Sequence, residues 1–157
     1  MSLLSTLTRK WRSLWAYGWH ERLLIIPVFC ILALGKAMIF CLPFRKYVWV
    51  FGEKSSGEHH ALNSNQQKRA RSIGKTVRMV AKLTPWQSLC LPQAIAACLL
   101  LRTYRIPYEV HFGVMSNTTK DLAEPLLAHV WVIAGVTFVT GGDGHTAHTV
   151  VASFHRP

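Results

Sequence analysis

Residues 88–114 read SLCLPQAIAACLLLRTYRIPYEVHFGV, and the fold class turns on how this stretch divides. From Leu89 to about Tyr104 it is apolar nearly all round until Arg102, with Ser88 able to cap the start and Pro92 tolerable in the first turn. A helix with no polar face must be buried. Its small residues Ala94, Ala96 and Ala97 allow a sheet to pack close. The period then changes from helical to two: Tyr108, Val110, Phe112 and Val114 alternate with Glu109, His111 and Gly113. After a polar loop (SNTTKDLAEP), His129, Trp131 and Ile133 alternate with Val130 and Val132. Ala134-Gly135 reads as a hairpin turn into a strand over 136–140, and 149–154 as a last strand. One buried helix followed by an antiparallel sheet is an α+β arrangement.

Upstream the character differs. Residues 1–22 read as a basic amphipathic helix with Trp11, Trp15 and Trp19 on one face. Residues 23–40 are apolar except for Lys36, barely long enough to cross a ~30 Å hydrocarbon layer. Pro27, Lys36 and basic flanks at both ends argue for a buried or partner-facing helix over a clean membrane span. The long basic start without a small-residue cleavage site also argues against a signal peptide. Residues 53–67 are small and polar, as in a loop or linker, which suggests a division near residue 52. Ile73, Val77 and Val80 stand at helical spacing among basic residues over 68–83, and Pro85 closes that helix.

The 157 residues are enough for one core and too few for two domains with a linker. Half are hydrophobic, 16% are charged, and mean hydropathy is +0.21, which excludes a disordered or collagen-like chain. The net charge of +11 is all in one half. Residues 1–85 carry 14 Lys/Arg against three acids, whereas residues 86–157 carry four of each. A nucleic-acid coat predicts no such split, and no nucleic-acid motif is present. A basic flank that meets a partner or an acidic surface fits better. Four cysteines without a CxxC pair suggest a reducing, cytoplasmic setting, with membrane association through residues 23–40 as an option.

The chemistry converges on three residues. Cys90 falls in the first turn of the buried helix, where free N–H groups favour a thiolate and can hold an oxyanion. His129 begins a strand that can present its imidazole as general base and then general acid. Asp143 is the acid nearest the adjoining strand end. Cys30, Cys41 and Cys98 read as ordinary apolar-segment cysteines. No metal is required. His145 and His148 lie in a Gly-rich loop, without the helical context of a zinc hydrolase, and His59-His60 reads as incidental.

At these residues the chain resembles the standalone leader peptidases of lasso-peptide biosynthesis, which are transglutaminase-like cysteine proteases. The matching pattern is S-x-C-L before an apolar helix, a basic residue, a strand ending in Gly113-Val114, and later LAHVWVIAG. The stretch ending CLPFRKYV is similar as well. The resemblance implies a transglutaminase-like or papain-like core over residues 53–157, behind a basic helical region over 1–52. It also implies cleavage of a leader from a ribosomal precursor peptide, with Cys90 as nucleophile, His129 as base and no cofactor. Implied partners are that precursor, a small leader-recognition protein and a macrolactam synthetase.

The third catalytic member is where this chain departs from the pattern. The family places an Asp about a dozen residues past the His, where this chain has Gly141 and Gly142. A turn at Ala134-Gly135 pairs Ile133 with Val136 and sets Thr140 opposite His129, and the two glycines let the chain bend back. The expectation is therefore that Asp143 accepts from the His129 ring, with a backbone carbonyl or the Thr140 hydroxyl as substitutes. A rival from another class is a non-catalytic membrane-surface or scaffold protein built on the basic N-terminal half, which would have no use for the Cys90/His129 block.

Overall fold

The computed structural model describes residues 19–54, 61–115 and 127–157. The expected Trp11/Trp15 helix face and the polar loop over 116–125 lie outside them. Among the described residues three α-helices, α1 (Trp19–Cys41), α2 (Ser64–Ala81) and α3 (Cys90–Thr103), pack beside a five-stranded sheet. Its strands are β1 (Glu53–Lys54), β2 (Tyr108–Met115), β3 (Leu127–Ala134), β4 (Thr137–Thr140) and β5 (Thr149–Arg156). They lie in the order β1-β5-β2-β3-β4, every pair antiparallel, and the α+β class is as expected.

Helix α3 is the centre of the packing. Every residue from 90 to 102 is buried or half-buried, and Ala94, Ala96, Ala97, Cys98 and Leu101 are fully enclosed. Helices α1 and α2 cover it together with β3 and β4. Burial pushes the Cys98 thiol pKa well above its ordinary value, consistent with a core residue. The same core takes Val28, Leu32, Tyr47, Val50 and Phe51 from one side of residue 52 and Val110, Val130 and Val132 from the other. The linker expected over 53–67 is shorter. Glu53–Lys54 pairs with β5, and Asn63 opens α2 with a capping box closed by Gln66.

Helix α2 buries Ile73, Val77 and Val80, the three positions read as its apolar face. It lies against β4 at Gly74, where a Cβ would stand 2.4 Å from the Val139 carbonyl oxygen. A mid-helix glycine costs helix stability, but here only glycine admits the strand. Arg78 Nη1 donates to the same carbonyl one turn later, so the helix–strand contact is pinned twice. Ser88 does not cap α3. Leu89 is the N-cap residue and offers no side-chain acceptor, while Ser88 Oγ hydrogen-bonds Thr84 Oγ1 at 3.0 Å.

One substitution tests this contact. Gly74→Ala should cost about 1–3 kcal/mol, because neither helix nor carbonyl can yield 1 Å without moving β4. Urea unfolding of the two proteins measures it.

Candidate active site

Two consecutive glycines after β4 decide the geometry of the site. The β3–β4 turn is Gly135-Val136, one residue later than expected, so Ala134 pairs with Thr137. A bulge then places Thr140 opposite Val132, three residues from the expected partner His129. Only a sharp return can bring the chain back along β3. Gly141 supplies it with φ +69, and a Cβ there would sit 2.3 Å from the Val130 carbonyl oxygen. Position 141 is therefore glycine twice over, by backbone region and by space.

That return puts the Gly141 carbonyl oxygen 2.8 Å from His129 Nε2. A carbonyl can only accept, so Nε2 carries a proton, and in the neutral ring Nδ1 is the nitrogen with the lone pair. The acceptor on Nε2 is thus the Gly141 backbone, where the sequence had suggested the Asp143 carboxylate. Asp143 is exposed and lines the same cleft. The Thr140 hydroxyl is buried and makes no hydrogen bond among the described residues.

Aromatic groups hold the imidazole from the sides. Trp131, two residues along β3 and so on the same sheet face, is 4% exposed and stacks on His129 with ring centroids 5.9 Å apart. His148 lies 5.0 Å from His129, its own Nδ1 donating to the Gly144 carbonyl. Gly113, paired with His129 across β2–β3, makes room for both. A Cβ there would stand 2.8 Å from the Trp131 ring and 2.9 Å from His148 Cβ. Gly113 and Trp131 belong to the sequence pattern behind the family resemblance, but their packing around His129 had no signature in strand alternation.

Cys90 and His129 line one cleft of about 560 Å³, formed where α2 ends, α3 and β3 begin and the chain leaves β4. Arg78, Lys82, Ser88, Gln93 and Asp143 contribute its polar lining. Cys90 is the first residue of α3, half-buried, and α3 has no side-chain cap competing for its leading N–H groups. Gln93 sits one turn into the helix with its amide donating to the Ser88 carbonyl at 2.7 Å, which holds the loop before Cys90 against the helix. A cleft with a thiol at a helix N-terminus and an imidazole held by a fixed hydrogen bond can carry acyl transfer.

The comparisons fit this arrangement. The family model of the transglutaminase-like superfamily matches residues 38–153. The chain belongs to the transglutaminase-like superfamily. No curated protein and no solved structure matches it. Within that superfamily match lie Cys90, His129 and Asp143, together with α2, α3 and β1–β4.

Among the described residues no group of three or more His, Cys, Asp or Glu side chains is arranged to hold a metal ion. His145 donates through Nδ1 to the Gly142 carbonyl and packs on Phe138 at 4.4 Å, which gives it a structural role in the loop.

The tautomer is directly observable. In ¹⁵N spectra of the imidazole, His129 should show a protonated Nε2 at neutral to alkaline pH, and Asp143→Asn should leave that pattern unchanged. Gly141→Ala should lose it, because the substituted backbone cannot keep φ +69 or approach Val130.

Proposed function

We propose that this member of the transglutaminase-like superfamily is a cysteine peptidase that removes the leader from a ribosomally made lasso-peptide precursor. The observation that carries the reading is the meeting of Cys90, at the uncapped start of α3, and a His129 of fixed tautomer in one cleft. The resemblance of the Cys90-to-His129 block to lasso leader peptidases narrows it from peptidase to substrate class.

In this reading Nδ1 of His129 takes the thiol proton of Cys90, and the thiolate attacks the leader–core amide carbon. Backbone N–H groups at the start of α3 stabilise the oxyanion. The imidazolium then protonates the leaving amine, the C–N bond breaks, and the leader remains as a thioester on Cys90. Water, deprotonated by the same Nδ1, attacks the thioester, and the leader leaves as a carboxylic acid with the thiol restored. The freed core amine is what a macrolactam synthetase needs for ring closure.

The orienting group is a neutral carbonyl, not an acid. It fixes the tautomer as a carboxylate does, but adds no full charge to stabilise the imidazolium. Asp143 sits at the rim as an exposed carboxylate whose pull on the ring is screened by water. Catalysis in this proposal rests on Cys90 and His129, with Gly141 as positioning residue.

The decisive measurement is incubation with the precursor encoded beside the gene, with and without a leader-recognition protein, read by mass spectrometry. Wild type should release leader and core. Cys90→Ala and His129→Ala should each lose at least roughly 10³-fold in rate while folding normally. Cys98→Ser, in the core, serves as the control. Cleavage by either site variant at a rate near that of wild type would remove the peptidase reading.

The basic side of the molecule is the proposed docking face for the leader or its recognition protein. A second cavity, of about 600 Å³, lies at the start of α2 and is lined by Lys68, Arg69, Tyr104 and Leu24. The Arg69 guanidinium packs 4.5 Å above the Tyr104 ring. Charge reversal at Lys68, Arg69 and Arg71 should weaken association with the precursor and flatten its salt dependence, as titrations at two ionic strengths will show.

A further inference from the structure

Helix α1 has two faces, and the fold uses only one. Val28, Leu32 and Gly35 are buried, the first two completely, against α2 and α3. On the opposite arc stand Ile26, Leu34 and Phe40, which are 75%, 65% and 90% exposed, with Phe29, Cys30, Ala37 and Cys41 between them. This stripe runs roughly 22 Å along the helix axis, at ~1.5 Å per residue. The chain just past the helix end adds exposed Leu42, Phe44 and Trp49. Contiguous apolar surface of this kind marks an interaction site.

Charge and aromatic content identify the occupant. The charged residues between positions 22 and 52 are Arg22, Lys36, Arg45 and Lys46, with no acid among them. Lys36, Arg45 and Lys46 are exposed, interleaved with Phe40, Phe44 and Trp49. Apolar residues that bury, aromatic rings that sit at headgroup depth, and ammonium or guanidinium groups that meet lipid phosphate are the three parts of an interfacial helix. We propose that α1 docks in the plane of an anionic lipid bilayer through this stripe, leaving the catalytic cleft in water.

The packing also decides between lying on the membrane and crossing it. Residues 24–41 are long and apolar enough to span. Yet the inner face of α1 is held by α2, whose Lys68, Arg69, Arg71 and Lys75 are exposed. A spanning α1 would carry those four cations into hydrocarbon or tear Val28 and Leu32 out of the core. An in-plane helix keeps both.

The two exposed cysteines on the stripe report the geometry. In full-length Cys90→Ala, a polarity-sensitive NBD label is placed at Cys30 with Cys41→Ser, or at Cys41 with Cys30→Ser; Cys98 is buried and stays unlabelled. With vesicles of phosphatidylcholine containing a quarter phosphatidylglycerol, both labels should shift to the blue and be quenched to equal depth by spin-labelled lipids. Pure phosphatidylcholine and high salt should each reduce binding. Ile26→Ser/Leu34→Ser/Phe40→Ser should lower partitioning at least about tenfold. Phe40→Ser alone should lower it in the same direction, and keeps the test open should the triple variant not fold. The proposal is overturned by label depths differing by about 16 Å, the axial rise of 11 residues in a span. It is equally overturned by partitioning that the variants do not change, or by a blue shift that needs only more protein, which would make a second copy the occupant. None of these outcomes depends on peptidase activity.

Discussion

A helix that is apolar on every side has no face to give to water, and α3 is such a helix. Its neighbours are arranged by the need to enclose it. The sheet supplies Val130 and Val132 on one side, α2 supplies Ile73, Val77 and Val80, and α1 supplies Val28 and Leu32. Each fully buried aliphatic side chain of this kind contributes about 1.5–3 kcal/mol. Because its first residue is Cys90, enclosure of the helix also fixes the proposed nucleophile, whose position follows from the packing of the rest of the helix. A rigid core element that ends at a cleft is a better mount for chemistry than a loop.

The second constraint is local and steric. Gly141 lies in the left-handed region against the Val130 carbonyl, and nothing larger than hydrogen fits. Its carbonyl thereby reaches Nε2 of His129, one strand back, and sets which ring nitrogen is basic. Two features of this chain make that contact possible. The bulge between Val132 and Ile133 shortens the useful length of β4, and the glycine pair reverses the chain where a side chain would hold it off. Orientation of the imidazole depends here on backbone conformation and not on a side-chain acid.

What could be read in the sequence follows from what kinds of forces were acting. The α+β class was legible because burial writes periodicity: all-round apolarity over α3, spacing of Ile73, Val77 and Val80 in α2, and alternation along β2 and β3. The register of β3–β4 was not legible, since a two-residue turn one position later leaves the same alternation in place and a bulge has no compositional mark. The cap on α3 was not legible for a related reason. Ser88 has the right chemistry for a cap, but Thr84 competes for its hydroxyl and the helix starts one residue on. The acceptor on His129 was the least legible of all, because it is a main-chain atom, and a search for side-chain acids passes over it.

Helix α1 belongs both to the core and to the surface. Its inner face closes the core around α3, and its outer face is as apolar as its inner one, which is why composition alone could not separate a core helix from a membrane segment. Position on the helix separates them: Val28, Leu32 and Gly35 fall on one arc, Ile26, Leu34 and Phe40 on the other. A helix that is needed by the core on one side and unsatisfied on the other transmits position. Whatever holds the outer face also sets where α3, and therefore Cys90, stands relative to that surface. In the proposed leader peptidase, α3 locked to a membrane-docked α1 would supply alignment of Cys90 without a flexible tether.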